Sequence, residues 1–449
     1  MRKLLTLVLF VALLSAGVAK ARQAQINAGT GNGVIGIKIA VPDFQPVSPD
    51  IKTGSRAGLF NQVLRDDLSF SGGVTVVSTS LYPLGKFNGP ADIKPDDWTT
   101  AAVDAQFIAF GNLRADGSVS IEARVWDLKS PSVSGREVIA KRITSDDSEA
   151  GTRLAAHKFA DMIIDQIGGA KGIAQTKIAF ISERTTGGSF PIKELYLMDY
   201  DGYDQQAITA YKNTVVTPAW SPDSEKIAFT SFRHGAPDIE IVSRIDHQPY
   251  PFARPGGTTI TPSWSPDGSK IAFASSRDGS STEIYVADWN GKNLRRLTIG
   301  KSANNSPVWN PKTGREIAFV SDRSGSSQIY VMDAEGTNVR RLLDEGGHAD
   351  EPAWSPDGER IAFTWQRSRT SNFDIYIHEL ATGKNVQITH DAGDNERPTW
   401  APDGRHLAFE SSRMGTRQIF SMLLDGTKIR QLTTKGTNTA PAWSGLLNK

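Results

Sequence analysis

The sequence predicts two domains: a small N-terminal α/β domain, then an all-β, six-bladed β-propeller closed by the C-terminal strand. Three observations predict this. A Pro-x-Trp segment recurs with its aromatic residue at Trp220, Trp264, Trp309, Trp354, Trp400 and Trp443, at intervals of 44, 45, 45, 46 and 43 residues. A period of about 40–45 residues is that of four-stranded propeller blades. The ends are complementary: Ile178-Ala179-Phe180 has no Pro-x-Trp before it, and Pro441-Ala442-Trp443 has no second strand after it. Residues 36–169 lack the repeat and alternate strand-like and helix-like patterns instead. The boundaries read as 1–21 for a signal peptide, 22–35 for a flexible segment, 36–169 for the α/β domain and 170–449 for the propeller.

Taken in order, Arg2-Lys3, the apolar run Leu4 to Leu14 and the small residues up to Ala21 form a secretory signal. The run is too short to span a bilayer. Cleavage after Ala19 or Ala21 fits. The chain has no cysteine, which excludes thiol catalysis and cysteine metal sites and suits an exported protein whose core stabilises itself. A net charge of +1 gives no broad footprint for nucleic acid.

Gly31-x-Gly33-x-x-Gly36 matches a dinucleotide-binding pattern on paper. A phosphate-cradling loop must follow a strand and open a helix, and here a strand follows the glycines. The domain beyond reads as strands 37–41, 74–77, 105–111, 119–126 and 137–144, with helices at 55–68, 96–103 and 148–167. Asp116-Gly117 marks a hairpin. The last helix offers Leu154, Phe159, Ile163 and Ile167 for burial and ends at Gly168-Gly169. His157 within it reads as a packed or surface residue.

In the propeller, Pro262-Ser263-Trp264 is an innermost strand and Ser265-Pro266-Asp267-Gly268 a turn. Lys270–Ala274, Glu283–Ala287 and Leu294–Thr298 supply the other three strands. Each Trp reads as core between blades, since one blade cannot bury both of its faces. An Arg after the second strand recurs at Arg184, Arg233, Arg277, Arg323, Arg367 and Arg413, and a residue present in every blade reads as structural. The calcium-like run Asp199–Asp204 lacks the remaining ligands and reads as a turn. The sequence holds no Gly-x-Ser-x-Gly and no His-Glu-x-x-His. No catalytic, cofactor or metal site is predicted.

A site must come from residues that differ between blades. The positions leading into each Pro-x-Trp do: Val216-Thr217, Ile260-Thr261, Asn305-Ser306, Asp350-Glu351, Glu396-Arg397 and Thr439-Ala440. They bring Asp350, Glu351 and Glu396 to one arc of the channel mouth, a candidate for basic or amide donors on a partner.

With Lys171-Gly172, Thr176–Phe180, Gly187–Pro191, Asp199–Tyr203 and the terminal Pro441-Ala442-Trp443-Ser444, the whole chain resembles the TolB family, WD40-like propellers of the periplasm in the Tol–Pal system of Gram-negative bacteria. The resemblance implies a non-catalytic monomer without cofactors that binds the lipoprotein Pal at the propeller mouth. Thr258, Thr261, Asn305, Ser306, Asp350, Glu351, Glu396 and Arg397 occupy the implied positions. It implies that the segment after the signal peptide binds the C-terminal domain of TolA. That segment here includes Gln25, Ile26, Asn27, Gly29, Gly31, Gly33 and Ile35, and is richer in glycine than the family's pattern. Association with the outer membrane would run through Pal, in support of envelope integrity and constriction at cell division. Pal occupancy would bias whether the N-terminal segment is docked or free to engage TolA. An envelope glycan-binding propeller and a propeller-type hydrolase are the alternatives.

Overall fold

A computed structural model describes residues 36–132, 136–185, 192–254, 256–390 and 392–447. The expected signal peptide, the segment 22–35 and the stretch Gly187–Pro191 lie outside the described residues.

The N-terminal domain is a mixed sheet with strand order 74–76, 37–40, 107–115, 118–127 and 137–146. Helix α1 (Ile51–Phe70) and helix α2 (Glu149–Ile167) cover one face. Asp50 starts α1 by accepting the Thr53 amide at 2.8 Å, so the helix begins ahead of the expected Ser55. Ser148 caps α2 through the Gly151 amide at 2.9 Å, and Gly169 ends it at φ 66°. Phe60, Leu64, Phe159 and Ile163 meet Leu113 and Ile121 from the sheet. Leu154, expected in the core, is 39% exposed; Ala155, Ala156 and Phe159 carry the buried stripe instead. The helix expected over 96–103 is a single turn, Pro95–Trp98. The Thr99 hydroxyl donates back to the Pro95 carbonyl at 3.2 Å, Thr100 accepts the Val103 amide, and Asp104 sits at φ 47°. Local side-chain bonds of this kind compete with helix propagation. Trp98 is nevertheless buried, and with Ile93 and Phe110 it fills the second face of the sheet.

Six four-stranded antiparallel sheets follow. Five are built from consecutive strands. The sixth pairs Thr437–Trp443 with Lys177–Thr185, followed by Ile192–Asp199 and Gln206–Ala207, so the first and last parts of the propeller share one blade. The outermost strands are shorter than expected: two residues in five blades, as at Arg295–Arg296, and four only at Lys384–Gln387.

The tryptophans lock blade to blade. Trp309 packs with Ile317 and Phe319 of its own blade and with Ala272 and Ile284 of the preceding one. The indole N–H of Trp220, Trp264, Trp354 and Trp400 donates to the carbonyl of Ala442, Ala219, Val308 and Ala353 respectively, at 2.9–3.2 Å. Each acceptor is the middle residue of the previous Pro-x-Trp. Five of the recurring arginines lie over aromatic rings, at 4.5 Å for Arg184 on Tyr196 and 4.7 Å for Arg323 on Tyr330. Their repetition is structural.

Strand direction orients the whole molecule. First-to-second and third-to-fourth strand turns emerge at one end of the ring. The N-terminal domain rests there, on blades one and six: Arg405 donates to the Gly168 and Gly169 carbonyls, and Arg430 to that of Asp66. The entries to the innermost strands lie at the opposite end. Among the described residues no helix is long and apolar enough to cross a membrane.

Candidate functional site at the channel mouth

One backbone device builds the channel in every blade. The residue before the Pro of Pro-x-Trp adopts a left-handed conformation: Thr217, Thr261, Ser306, Glu351, Arg397 and Ala440 have φ between 50° and 57°. Each first strand shifts register there, as between Asn305 and Val308. Non-glycine residues in this region cost of order 1–3 kcal/mol and persist only where the surroundings dictate them. At four of the six the neighbouring blade supplies those surroundings. The Thr261 amide donates to the Thr230 hydroxyl at 3.1 Å, and the Ser306 amide to the Thr261 hydroxyl at 3.3 Å. The Arg397 amide donates to Thr364 and Glu351, both at 3.0 Å, and the Ala440 amide to Glu410 at 2.7 Å. The ring encloses a cavity of ≈ 380 Å³ lined by the six Pro-x-Trp segments and the residues before them.

Its wall has two chemistries. Blades two to four present the hydroxyls of Thr217, Thr261 and Ser306. Blades five and six present a dense ionic network. Arg397 Nε lies 2.9 Å from Glu351 and 3.5 Å from Glu410, and Arg417 bridges Glu396 and Glu410. Burial pushes the Glu351 carboxyl up to about 7, against the pull of Arg397. Burial also raises Glu396, opposed by Arg417. Asp350 accepts the Glu351 amide at 2.7 Å and stands 3.6 Å from His348, whose pKa it raises.

The eight mouth residues expected from the sequence are all partly buried. They do not all stand free. Glu351 and Glu396 are already paired with arginines, and Asn305 accepts the Thr282 hydroxyl at 2.7 Å. Sequence reasoning missed Glu410 and Arg417. Glu410 follows Leu407-Ala408-Phe409, where the other blades carry Ile181, Thr230, Ala274, Val320 and Thr364. That one-blade departure was a readable signal. Arg417 had none, because its position at the start of the third strand varies in every blade, as Lys193, Pro237, Thr282, Ser327 and Phe373.

A six-bladed propeller with a polar mouth at one end and an α/β domain at the other defines a two-domain propeller module. Residues 29–132 match the family model described as the TolB amino-terminal domain, and residues 164–350 and 343–446 that of the TolB beta propeller domain. This chain belongs to the TolB family. It is 31% identical over 302 residues to the Tol-Pal system protein TolB of Bordetella pertussis, covering 66% of this chain and 64% of that protein. It is 30% identical over 235 residues to that of Escherichia fergusonii, covering 52% and 50%. The chain thus spans about half to two thirds of the length of the curated relatives it matches. The crystal structure of TolB from Acinetobacter baumannii superposes with a TM-score of 0.75 at 24% identity, over 91% of this chain and 97% of that one. It supports the two-domain fold.

Proposed function

We propose that this protein is a periplasmic, non-catalytic binding component of the Tol–Pal system. Its propeller mouth takes the lipoprotein Pal, and residues 25–35 take the C-terminal domain of TolA. In this role it sustains outer-membrane integrity and constriction at division. The observation that carries the Pal reading is the mouth itself. It is ringed by partly buried polar groups, differs from blade to blade, and opens at the end of the propeller away from the N-terminal domain. A 380 Å³ cavity lies behind it, a volume suited to one inserted loop or side chain rather than to a whole domain.

The test is calorimetric titration of the mature protein with the periplasmic domain of Pal from the same organism. Asp350→Ala with Asn305→Ala is the informative variant, because it leaves the Glu351–Arg397 and Glu396–Arg417 pairs intact. Pal affinity is expected to fall at least about tenfold, the loss of one or two well-made polar contacts, with an unchanged melting temperature. Unchanged affinity would move the site off this arc. Absence of Pal binding to the parent protein would overturn the reading, and muropeptide binding would then favour a glycan-binding propeller. Removal of residues 22–35 is expected to abolish TolA binding and leave Pal binding intact.

A further inference from the structure

The seam between the domains, at the far end from the mouth, contains a group of buried ionisable side chains that the proposed binding sites do not use. His157 on α2 is 3% exposed. Its Nδ1 is 2.7 Å from Asp67 Oδ2 on α1, and the other Asp67 oxygen accepts the Tyr200 hydroxyl of the propeller at 2.5 Å. Its Nε2 is buried with no hydrogen-bond partner among the described residues and lies 3.8 Å from Asp201 Oδ2, also of the propeller.

The two protonation states of this imidazole have opposite consequences. Neutral, with Nδ1–H on Asp67, it turns a lone pair on Nε2 toward the Asp201 carboxylate in a buried site. Protonated, it turns an N–H toward that carboxylate, across the domain boundary. The other neutral tautomer would set an Nδ1 lone pair against the Asp67 carboxylate at 2.7 Å, which disfavours it.

Charged groups face this imidazole from every element packed against it. On α1 the facing group is Asp67. On α2 itself, Arg153 pairs with Asp201 and lies 4.3 Å over the Tyr203 ring. One turn further, Asp161 accepts the Ala174 and Gln175 amides of the interdomain linker. From blade one come Asp199, Tyr200 and Asp201. From blade six come Arg430 and the Asp403–His406 pair, in which His406 Nε2 donates to the Phe70 carbonyl of α1 at 2.8 Å.

We infer that the domain seam is a proton-held latch, in which a proton on His157 bridges Asp67 of the N-terminal domain and Asp201 of the propeller and tightens the docking of one on the other. A metal ion is the competing occupant, because Asp67, His157 and Asp201 offer ligand atoms within 4.8 Å of one another. The Arg153 guanidinium on Asp201 and the Tyr200 hydroxyl on Asp67 already take the carboxylate positions a metal needs, so a proton fits better.

The direction of the pH effect follows. Burial alone would lower the pKa of His157, but the Asp67 carboxylate and then Asp201 overcome it and raise it above 6.5. A raised histidine contributes stability fully below its undocked pKa, and loses it as pH rises through the docked value. Asp161, raised to about 6 by burial, acts in the same direction, favouring docking as pH falls. Asp403 sets the acid limit. Burial would raise it, but His406 holds it below the usual carboxylate range, so its contribution is lost only on strong acidification.

The experiment is hydrogen exchange on the mature protein at pH 6 and pH 9, expressed as protection factors so that intrinsic rates cancel. Protection of linker amides 171–176 and of the turn 199–203 is expected to drop at least tenfold more at pH 9 than that of interior propeller amides at 317–320, which follow global stability. His157→Gln should show the low value at both pH values. Asp201→Asn, which keeps an oxygen for Arg153, should move the transition to lower pH. Equal linker protection in the parent protein at both pH values would overturn the latch, as would an unaltered drop in His157→Gln. Protection at pH 9 restored by added Zn²⁺ and removed by chelator would replace the proton with a metal.

Discussion

At the scale of the residue, repetition makes departures informative. The Ser-Pro-Asp-Gly turn between first and second strands works by one mechanism. The Ser265 hydroxyl donates to Asp267 at 2.6 Å, and Asp267 accepts the Ser269 amide and hydroxyl, which hold its pKa down to about 2. The fourth position is left-handed, with φ 70° at Gly268, 72° at Gly358 and 65° at Gly404. Blade two places Ser224 there at φ 57°, fully buried, with a hydroxyl that finds no partner among the described residues. A left-handed L-residue costs about 1 kcal/mol that glycine does not. Ser224→Gly is therefore expected to stabilise the protein by about 0.5–1 kcal/mol in urea titration. A loss of stability would show that the serine makes a contact its burial conceals. The six left-handed residues before the prolines are different. At Thr261, Ser306, Arg397 and Ala440 the strain is matched by an amide aimed at the neighbouring blade, and at Glu351 by an amide on Asp350; none of it was visible in the sequence, because Thr, Ser, Glu, Arg and Ala share no left-handed preference.

At the scale of the element, the closing strand is the clearest case of a contact dictated by the ends of the repeat. Trp443 donates to the Thr176 hydroxyl at 2.8 Å, and Asn438 accepts the Ser182 hydroxyl at 2.6 Å, each across more than 250 residues of chain. The strand is buried along most of its length. Deleting residues 437–449 removes a blade's innermost strand and leaves the faces of blades one and six open. The expected cost exceeds about 4 kcal/mol, since loss of one buried Trp alone costs about 3–5. Circular dichroism melting should show a protein unfolded or aggregated at 37 °C. A truncated protein melting within a few degrees of the parent would refute the closure. Blade order, turn positions and this stitch were all legible, because each follows from a fixed period and from turn chemistry. Elements of the N-terminal domain were legible in type but less so in extent. The Asp50 cap and the Thr99–Thr100 side chains, not the apolar pattern, decide where helices begin and stop.

At the scale of the whole molecule, the sequence pointed to one mouth, and the structure places ionisable clusters at both ends of the propeller. The mouth residues were legible as blade-to-blade variation at one position. Their pairing with Glu410 and Arg417 was not, since it depends on which side chains meet across blades. The seam was still less legible: Asp67, His157 and Tyr200 are scattered over 133 residues, and only docking of the domains brings them together. The two ends nevertheless act alike toward protons. Glu351 is raised to about 7, Asp161 to about 6, and His157 is raised as well, so the folded protein takes up protons at all three as pH falls from 9. Stability rises with acidification wherever the folded state binds more protons than the unfolded one. The opposing groups are the turn and cap aspartates, Asp267 and Asp50, both lowered to about 2 and acting only below pH 4. The urea midpoint is therefore expected to increase from pH 9 to a maximum near pH 5–6, then to fall steeply below 4. Combining Glu351→Gln with His157→Gln should flatten the alkaline limb and leave the acid limb unchanged. A midpoint that peaks above pH 8 would mean that the carboxylates at the mouth and seam are held ionised by their arginines more strongly than burial opposes them.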